Sequence, residues 1–262
     1  MARRAVSLLI IGLCALVLAG CPSAGLYRSA RTLEPHETDL GLNIDASRAA
    51  WAATSWYDGT GSKPKAAGNA MFLGGPEVHA HRGIVADVEA GGRISFGGPY
   101  FEIDGKYRFL HRDQLHLAVA PLAGWTPGYA LRGGRIALPV LASWDFTENW
   151  GISAGVQGGY RWANPNPVSI HAQPGDIDNL RWASGTGGWN YGGGLSVDWR
   201  GERFYVRPTV ELVHSTSQPP GIGSDYGVNT WTVTLSAGWT FGRELAALDK
   251  DAKDLDKLLH AP

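Results

Sequence analysis

The sequence predicts an all-β protein: an antiparallel, up-and-down transmembrane β-barrel of about ten strands, followed by a short C-terminal amphipathic helix. Three observations lead to this fold class. Long runs of residues alternate between apolar and polar side chains, and tryptophan and tyrosine concentrate near the ends of those runs. The connections between runs also alternate between short and long. A soluble β-sandwich is the alternative, but it requires neither the aromatic bias nor the alternating connections.

The composition suits β-structure that meets an apolar medium along part of its surface. The 262 residues include 36 Gly and 11 Trp, and 44% of the residues are hydrophobic while 18% are charged. After the N-terminal segment no run of 18 apolar residues occurs, which excludes a helical membrane protein. The formal net charge of -1 offers no case for a nucleic-acid partner, which would call for a basic face.

The N-terminus has the pattern of a secretory signal. Arg3 and Arg4 precede an apolar run from Val6 to Leu18, and the tetrapeptide Leu18-Ala19-Gly20-Cys21 closes it. An ordinary signal peptide or a membrane span would also contain the apolar run. Small residues directly before a cysteine are the more specific feature.

This segment resembles the lipobox of bacterial lipoprotein precursors. The resemblance implies that residues 1–20 are removed as a signal peptide and that Cys21 becomes the acylated first residue, carrying chains such as palmitate. Cys14 would leave with the signal, so no disulfide framework or cysteine metal site would remain. Residues 21–36 are polar without a strong period, and we expect them to form a flexible tether.

The first strand shows the pattern that the others repeat. From Thr38 to Ser47, the residues Leu40, Leu42 and Ile44 share one face, while charged and small polar residues occupy the other. An even number of such strands suits a closed antiparallel barrel. The second strand is the weakest, because two glycines and a proline interrupt it. The ten predicted strands span residues 37–47, 71–82, 86–96, 100–110, 114–125, 131–146, 149–162, 187–200, 203–214 and 229–241.

The connections check the barrel independently. Successive connections alternate between the two ends of a barrel. At one end all four connections are short, whereas the other end has all three long connections and two further short ones. The four short connections of the first end lie near residues 84, 111–113, 147–148 and 201–202. The long connections are residues 48–70, 163–186 and 215–228. This alternation is typical of outer-membrane barrels and predicts that both ends of the barrel segment, residues 37–241, face the periplasm.

The polar face of the wall is predicted to line a narrow lumen. Eight strands are just filled by side chains, so ten leave little open space, and buried charges must be paired. The predicted lumen-facing charged residues are Asp39, Asp45, Glu89, Arg93, Glu102, Asp104, Lys106, Arg108, Arg135, Arg161, Asp198, Arg200, Arg207 and Glu211, together with Asp145. Their signs nearly balance, which favours salt-bridge networks that admit small solutes at most. Alternatively, these charges only hold the strands in register.

The tail, residues 242–262, changes period. Leu245, Leu248, Leu255 and Leu259 fall on one helical face, and charged residues surround them. This pattern predicts an amphipathic helix in the periplasm. It could plug the lumen, lie on the membrane, bind a partner or remain a solvated cap.

Two groups of residues were tested as sites. Glu77, His79 and His81 face one way on a strand and could form a metal or acid/base site, but no fourth ligand can be placed, so an incidental arrangement is favoured. The predicted outer loops contain His171, Asp176, Asp178 and Asp225. No spacing matches a known catalytic pattern, so we predict no catalytic residue, no metal and no cofactor.

From residue 37 to 241 the chain resembles outer-membrane β-barrels. This resemblance implies outer-membrane lipid as its environment and the barrel-assembly machinery as a partner, which reads a final strand ending in an aromatic residue such as Phe241. Three function classes remain open. They are a structural or interaction barrel acting through its outer loops, a narrow porin-like pore for small solutes, and a membrane-embedded hydrolase or lipid-modifying enzyme. The extracellular ligand is not determined by the sequence.

Overall fold

The computed structural model describes residues 28–53, 66–73, 76–96, 100–126, 131–165, 188–217 and 226–242. All strand pairings in this part of the chain are antiparallel, and β1 pairs with β12 to close the sheet on itself. The predicted closed antiparallel barrel is therefore confirmed. The strands are β1 (Thr38–Ala53), β2 (Ala66–Leu73), β3 (Glu77–Val85), β4 (Val88–Ser95), β5 (Tyr100–Arg112), β6 (Leu115–Val119), β7 (Leu122–Thr126), β8 (Leu131–Asp145), β9 (Trp150–Pro165), β10 (Gly188–Arg200), β11 (Phe204–Ser217) and β12 (Tyr226–Phe241).

These strands occupy ten positions around the wall. β3 pairs with the first part of β1 and β2 pairs with the second part, on the side of β1 that faces away from β12. β6 and β7 likewise lie end to end between β5 and β8. The sequence predicted one strand at 71–82, interrupted by two glycines and a proline, and one at 114–125. They are divided near Pro76 and Pro121, because proline has no N–H to donate to a β-ladder.

The distribution of polarity across the wall is inverted relative to a soluble protein. Outward-facing Ile103 is 71% exposed and Leu235 is 51% exposed, whereas inward-facing Thr234 and Glu211 are fully buried. The two faces alternate along the strands whose side chains the structure describes, as the sequence pattern predicts. A soluble sandwich buries its apolar face, so this inversion is incompatible with one.

The two ends of the barrel differ. The β3–β4, β5–β6, β8–β9 and β10–β11 turns share one end with the start of β1 and the end of β12, and we call it the turn end. Asp87 and Asp113 adopt positive φ angles of 64° and 50° there, which tight turns require. At the opposite, loop end, β1, β9 and β11 continue beyond their predicted limits to Ala53, Pro165 and Ser217.

Helical structure was expected only in the tail. Beyond Gly242, the predicted helix of residues 242–262 lies outside the described residues. Gly242 itself has a φ angle of 89°, and an added Cβ would approach the His36 carbonyl oxygen within 2.6 Å. Within the described ranges, no helix is long and apolar enough to cross a bilayer.

Candidate functional site

The structure gives the position of every predicted lumen charge. None of the fourteen is exposed. Eight are buried: Asp45, Glu89, Arg93, Glu102, Lys106, Arg135, Asp198 and Glu211. The other six are partly buried: Asp39, Asp104, Arg108, Arg161, Arg200 and Arg207. Asp145, also on the inward face, is buried as well.

Five inward residues form an ion-pair layer across the lumen, which we call the central layer: Glu77, Arg93, Tyr100, Glu102 and Arg135. Glu102 accepts from Arg135 Nη2 at 2.8 Å, and its other oxygen lies 2.8 Å from Arg93 Nε. Arg93 Nη1 also contacts Glu77 Oε2 at 2.9 Å. Both guanidinium groups lie over the Tyr100 ring, 5.4 and 5.8 Å from its centre. These residues belong to four strands, so their contacts tie the wall together from inside.

Residues 28–37 fold into the turn-end half of the lumen, and we call them the N-terminal plug. Arg28 forms ion pairs with Glu89 and Asp104. Lys106 Nζ donates to the Ser29 carbonyl oxygen at 3.0 Å, and the Leu33 amide donates to Glu89 at 2.9 Å. These wall charges, Glu89, Asp104 and Lys106, lie on β4 and β5.

The plug also reaches the opposite wall. The Ala30 amide donates to Ser143 Oγ at 2.7 Å, and Arg31 pairs with Asp145. Ala30 has no exposed surface and packs in a small apolar cluster inside the barrel, whose other members are Ala118, Ala120 and Leu141. Residues 21–36 were expected to form a flexible tether. Residues 28–36 instead lie within the lumen, because their polar groups pair with buried groups on the wall.

The plug leaves the lumen at the turn end, beside the end of β3. The His36 amide donates to the Gly83 carbonyl oxygen at 3.0 Å, and the Gly83 amide donates to the Glu37 carbonyl oxygen at 2.9 Å. A Cβ at Gly83 would lie 2.0 Å from the Glu34 carbonyl oxygen, so only glycine allows this close approach. The chain then turns directly into β1.

A second polar cluster lies beside the plug and consists of Asp39, His79, His81 and Tyr205. The Tyr205 hydroxyl donates to Asp39 Oδ2 at 3.2 Å and lies 2.7 Å from His79 Nε2. His81 Nε2 lies 3.1 Å from Asp104 Oδ2. Sequence analysis grouped these histidines with Glu77, but Glu77 instead pairs with Arg93 in the central layer.

At the rim of the turn end, Asp145 contacts several nitrogen-bearing side chains. His116 Nε2 lies 2.8 Å from its Oδ2, and Arg200 Nη2 donates to its Oδ1 at 2.7 Å. Nearby, Arg207 pairs with Asp198, which also accepts from Ser153 Oγ at 2.5 Å. These pairs lie on β6, β8, β9, β10 and β11, so charge pairing extends around the wall.

Open space lies at the turn end of the lumen. A cavity of about 630 Å³ is bounded there by the plug, Asp39, His79, His81 and Tyr205. Between Arg28 and the central layer, a separate void of about 20 Å³ remains, room for roughly one water molecule. In the described part of the chain, these two spaces do not form a through channel.

Neither the plug nor the participation of Tyr205 was predicted from the sequence. One signal could have indicated the plug. The predicted inward charges comprise eight carboxylates and seven cations, and Glu77 raises the carboxylates to nine. Arg28 and Arg31 supply two further cations and contact three of these carboxylates: Glu89, Asp104 and Asp145.

Other sequence-derived candidates lie outside the described residues. They are Cys21 and the four loop residues His171, Asp176, Asp178 and Asp225.

Three solved structures are similar to this chain at low sequence identity and with TM-scores below 0.5. The outer membrane protease OmpT of Escherichia coli is 10% identical, with a TM-score of 0.45, over 81% of this chain and 99% of that one. Ail, the attachment invasion locus protein of Yersinia pestis, is 11% identical, with a TM-score of 0.31, over 79% and 99%. Neisserial surface protein A is 11% identical, with a TM-score of 0.35, over 77% and 97%. No protein family model and no curated protein sequence matches.

Proposed function

We propose that this chain is a lipid-anchored outer-membrane β-barrel protein with a closed lumen, which acts as a structural or interaction protein through its outer loops. The observation that carries the proposal is the N-terminal plug, which occupies part of the turn-end half of the lumen, beside the cavity and below the central layer. A barrel closed at two levels by its own side chains is suited to holding and presenting loops. It is poorly suited to passing solutes.

The exterior supports a membrane location. On β9, β10 and β12, outward aromatic residues lie ten positions apart: Trp150 and Tyr160, Trp189 and Trp199, Trp231 and Phe241. Ten residues of strand tilted by about 45° span roughly 24 Å along the membrane normal. This matches the apolar band of about 25 Å between the aromatic girdles of outer-membrane barrels. Trp150 pairs with Trp199 and Tyr160 with Trp189, so the belts are continuous between neighbouring strands.

The chemistry of the lumen supports closure. Arg28 is the cation shared by Glu89 and Asp104, and these carboxylates are almost fully buried. Removing the plug would leave a deficit of positive charge in a region of low dielectric, which costs several kcal/mol per ion. The plug is therefore expected to stay in place at neutral pH.

The lipid anchor is compatible with the plug. Seven residue steps separate Cys21 from Arg28, and an extended chain of that length reaches roughly 23–25 Å. This length allows the chain to leave the turn-end mouth and reach the adjoining leaflet. The turn end then faces the periplasm and the loop end faces the outside. Phe241, the outward aromatic residue that ends β12, suits recognition by the barrel-assembly machinery.

Single-channel recording in planar bilayers tests the closed lumen. The full mature protein should add no stable conductance steps, because the central layer and the plug both cross the pathway. Co-flotation of the protein with lipid vesicles shows that it is incorporated, so that an absence of conductance cannot be attributed to failed insertion. Stable conductance steps from the wild-type protein would favour the narrow pore for small solutes, the alternative function, and would reject the closed lumen.

A further inference from the structure

Asp39, His79 and His81 bring three metal-ligand atoms together at the turn-end cavity. One ligand atom from each lies within 4.8 Å of the other two. Asp39 Oδ2 is 3.4 Å from His79 Nε2 and 3.8 Å from His81 Nδ1. Metal bonds of about 2.0–2.2 Å in a tetrahedral site put neighbouring ligand atoms roughly 3.3–3.6 Å apart. The spacing is close to that arrangement, and 3.8 Å is too long for a hydrogen bond.

The proton on His81 is assigned by its second contact. His81 Nε2 lies 3.1 Å from the Asp104 carboxylate, which can only accept, so this nitrogen carries the proton. In the neutral ring, Nδ1 then carries a lone pair and no proton, and it lies opposite the Asp39 carboxylate oxygen. Two acceptors facing each other attract only when a cation lies between them. A carboxylate that holds the far nitrogen of a ligating histidine is the usual outer support of a zinc site.

The Asp39 carboxylate is incompletely satisfied. It contacts the two histidines and Tyr205, and its Oδ1 is buried without a hydrogen-bond partner among the described residues. The neighbouring cations have other carboxylate partners: Arg28 pairs with Glu89 and Asp104, Lys106 lies 3.0 Å from Glu89, and Arg207 pairs with Asp198. A buried carboxylate oxygen without a partner is unfavourable, and a bound cation would stabilise this carboxylate.

The wall leaves room for both rings. A Cβ at Gly41 would lie 2.6 Å from two atoms of the His79 ring, and a Cβ at Gly91 would lie 2.3 Å from His81 Cδ2. Glycine at these strand positions therefore lets each imidazole lie flat against the neighbouring strand. The ligand atoms are held by the rigid wall, which is what a preorganised site requires.

We propose that Asp39, His79 and His81 bind a divalent transition-metal ion at the turn end of the lumen. Two imidazole nitrogens and one carboxylate oxygen are a donor set that zinc accepts, and a water from the cavity can complete the four-coordinate site. The Tyr205 hydroxyl donates to Asp39 and therefore accepts the proton of His79 Nε2, 2.7 Å away, in the metal-free protein; binding of the ion releases that proton and frees the nitrogen to act as a ligand. Asp104 orients His81, and Arg28 of the plug in turn holds Asp104, so the site and the plug share one chain of contacts.

Calorimetric titration of the full mature protein with zinc chloride, after treatment with a chelator, tests the site. We expect one zinc ion per chain and no comparable binding of magnesium, because imidazole is a poor ligand for magnesium. X-ray absorption at the zinc edge of the wild-type protein should show two imidazole nitrogens in the first shell. Absence of zinc binding, or a shell made of oxygen or sulfur alone, would overturn the proposal without recourse to any variant.

Variants locate the ion. His79→Gln and His81→Gln should each lower zinc affinity by roughly 100-fold or more, and Asp104→Asn, outside the first shell, should lower it by about 10–100-fold. His116→Gln is the matched control, since His116 is another buried lumen histidine paired with a carboxylate, Asp145. Folding of each variant is checked by circular dichroism in detergent. If His116→Gln weakens binding as much as His81→Gln does, the assignment of the ligands is wrong.

Discussion

Leu235 and Thr234 are neighbours on β12, yet Leu235 is half exposed and Thr234 is completely buried. The difference follows from the two-residue period of a strand, which turns adjacent side chains to opposite faces of the wall. Because the outer face meets lipid, the residue that would be buried in a soluble protein lies on the surface here. Single residues of this wall therefore have opposite tolerances to charge on its two faces.

Leu235→Arg tests this at the lipid face. Leu235 lies between the aromatic positions Trp231 and Phe241, near the middle of the apolar band, so arginine there should destabilise the barrel by about 2–4 kcal/mol. Thr240→Arg is the control, because Thr240 is on the same strand and borders the water-accessible turn-end cavity. The measurement is urea unfolding in lipid vesicles. Equal losses at both positions would contradict the assignment of the faces.

Gly41→Ala should be destabilising although alanine normally suits a strand better than glycine. Its Cβ would lie 2.6 Å from the His79 ring and 2.7 Å from the Ala237 carbonyl oxygen, and forcing such contacts typically costs about 1–3 kcal/mol. At Gly158 no heavy atom lies within 4 Å of an added Cβ, so Gly158→Ala should be neutral. Comparing the two unfolding midpoints in urea checks this, and matching midpoints would argue against close packing of His79.

Among the elements, the N-terminal plug gains two of its ion pairs with the wall from Arg28. Arg28→Ala removes the cation shared by Glu89 and Asp104, and the plug should then open more often. Ser29→Cys, a nearly isosteric change at a buried position, reports on this through its rate of reaction with a soluble maleimide. Each 1.4 kcal/mol lost from the free energy that holds the plug in the lumen raises the population of molecules with an open plug about tenfold. Labelling of Ser29→Cys should therefore be at least tenfold faster when Arg28→Ala is also present.

Exposed Glu34, in the same plug, supplies the reference for that measurement. Glu34→Cys should react rapidly whether or not Arg28 is present. If Ser29→Cys reacts as rapidly as Glu34→Cys in the otherwise wild-type chain, residues 28–37 are not held in the lumen.

The turn between β5 and β6 makes a separate prediction about local backbone. Asp113 has a φ angle of 50°, a conformation that costs a non-glycine residue about 1–2 kcal/mol and a β-branched residue more. Asp113→Gly should leave stability unchanged or raise it slightly, whereas Asp113→Val should lower it by more than 1 kcal/mol. Denaturation in urea distinguishes the two. A valine variant as stable as the glycine variant would contradict the turn geometry.

At the scale of the whole molecule, the proposed anchor and orientation are tested together in cells. Cys21→Ser should abolish incorporation of labelled palmitate and leave an unprocessed precursor, because acylation requires the cysteine thiol. An epitope inserted between Gly175 and Asp176 should be labelled on intact cells, and one after Pro262 only after permeabilisation. Palmitate on the serine variant, or the reverse labelling pattern, would reject the anchor or the orientation respectively.

Much of the wall was predictable because a strand at a lipid boundary carries a local signal. The alternation from Leu40 to Ile44 on β1 sets the outward face without reference to any other strand, and the same holds for β12. Breaks in the pattern were harder to interpret. Pro121 divides a strand position into β6 and β7, but both halves keep the same neighbours, which sequence alone does not reveal.

The interior was only partly predictable because its contacts are long range. The inward charges follow from the two-residue period, but the partners do not. Arg28 and Asp104 are 76 residues apart, and Tyr205 and Asp39 are 166 apart. Which charges meet depends on strand register and on closure of the sheet. Neither quantity is encoded in the pattern of one strand.

Local alternation along each strand was enough to predict a closed wall, apolar outside and ionic within, because a strand shows its two faces through its own residues. What occupies the inside of that wall depends on long-range contacts. Residues 28–37 have no period of their own, and their position follows from carboxylates on β4, β5 and β8 that only the closed barrel brings around them. The meeting of Asp39 with His79, His81 and Tyr205 likewise exists only because β1, β3 and β11 face one lumen.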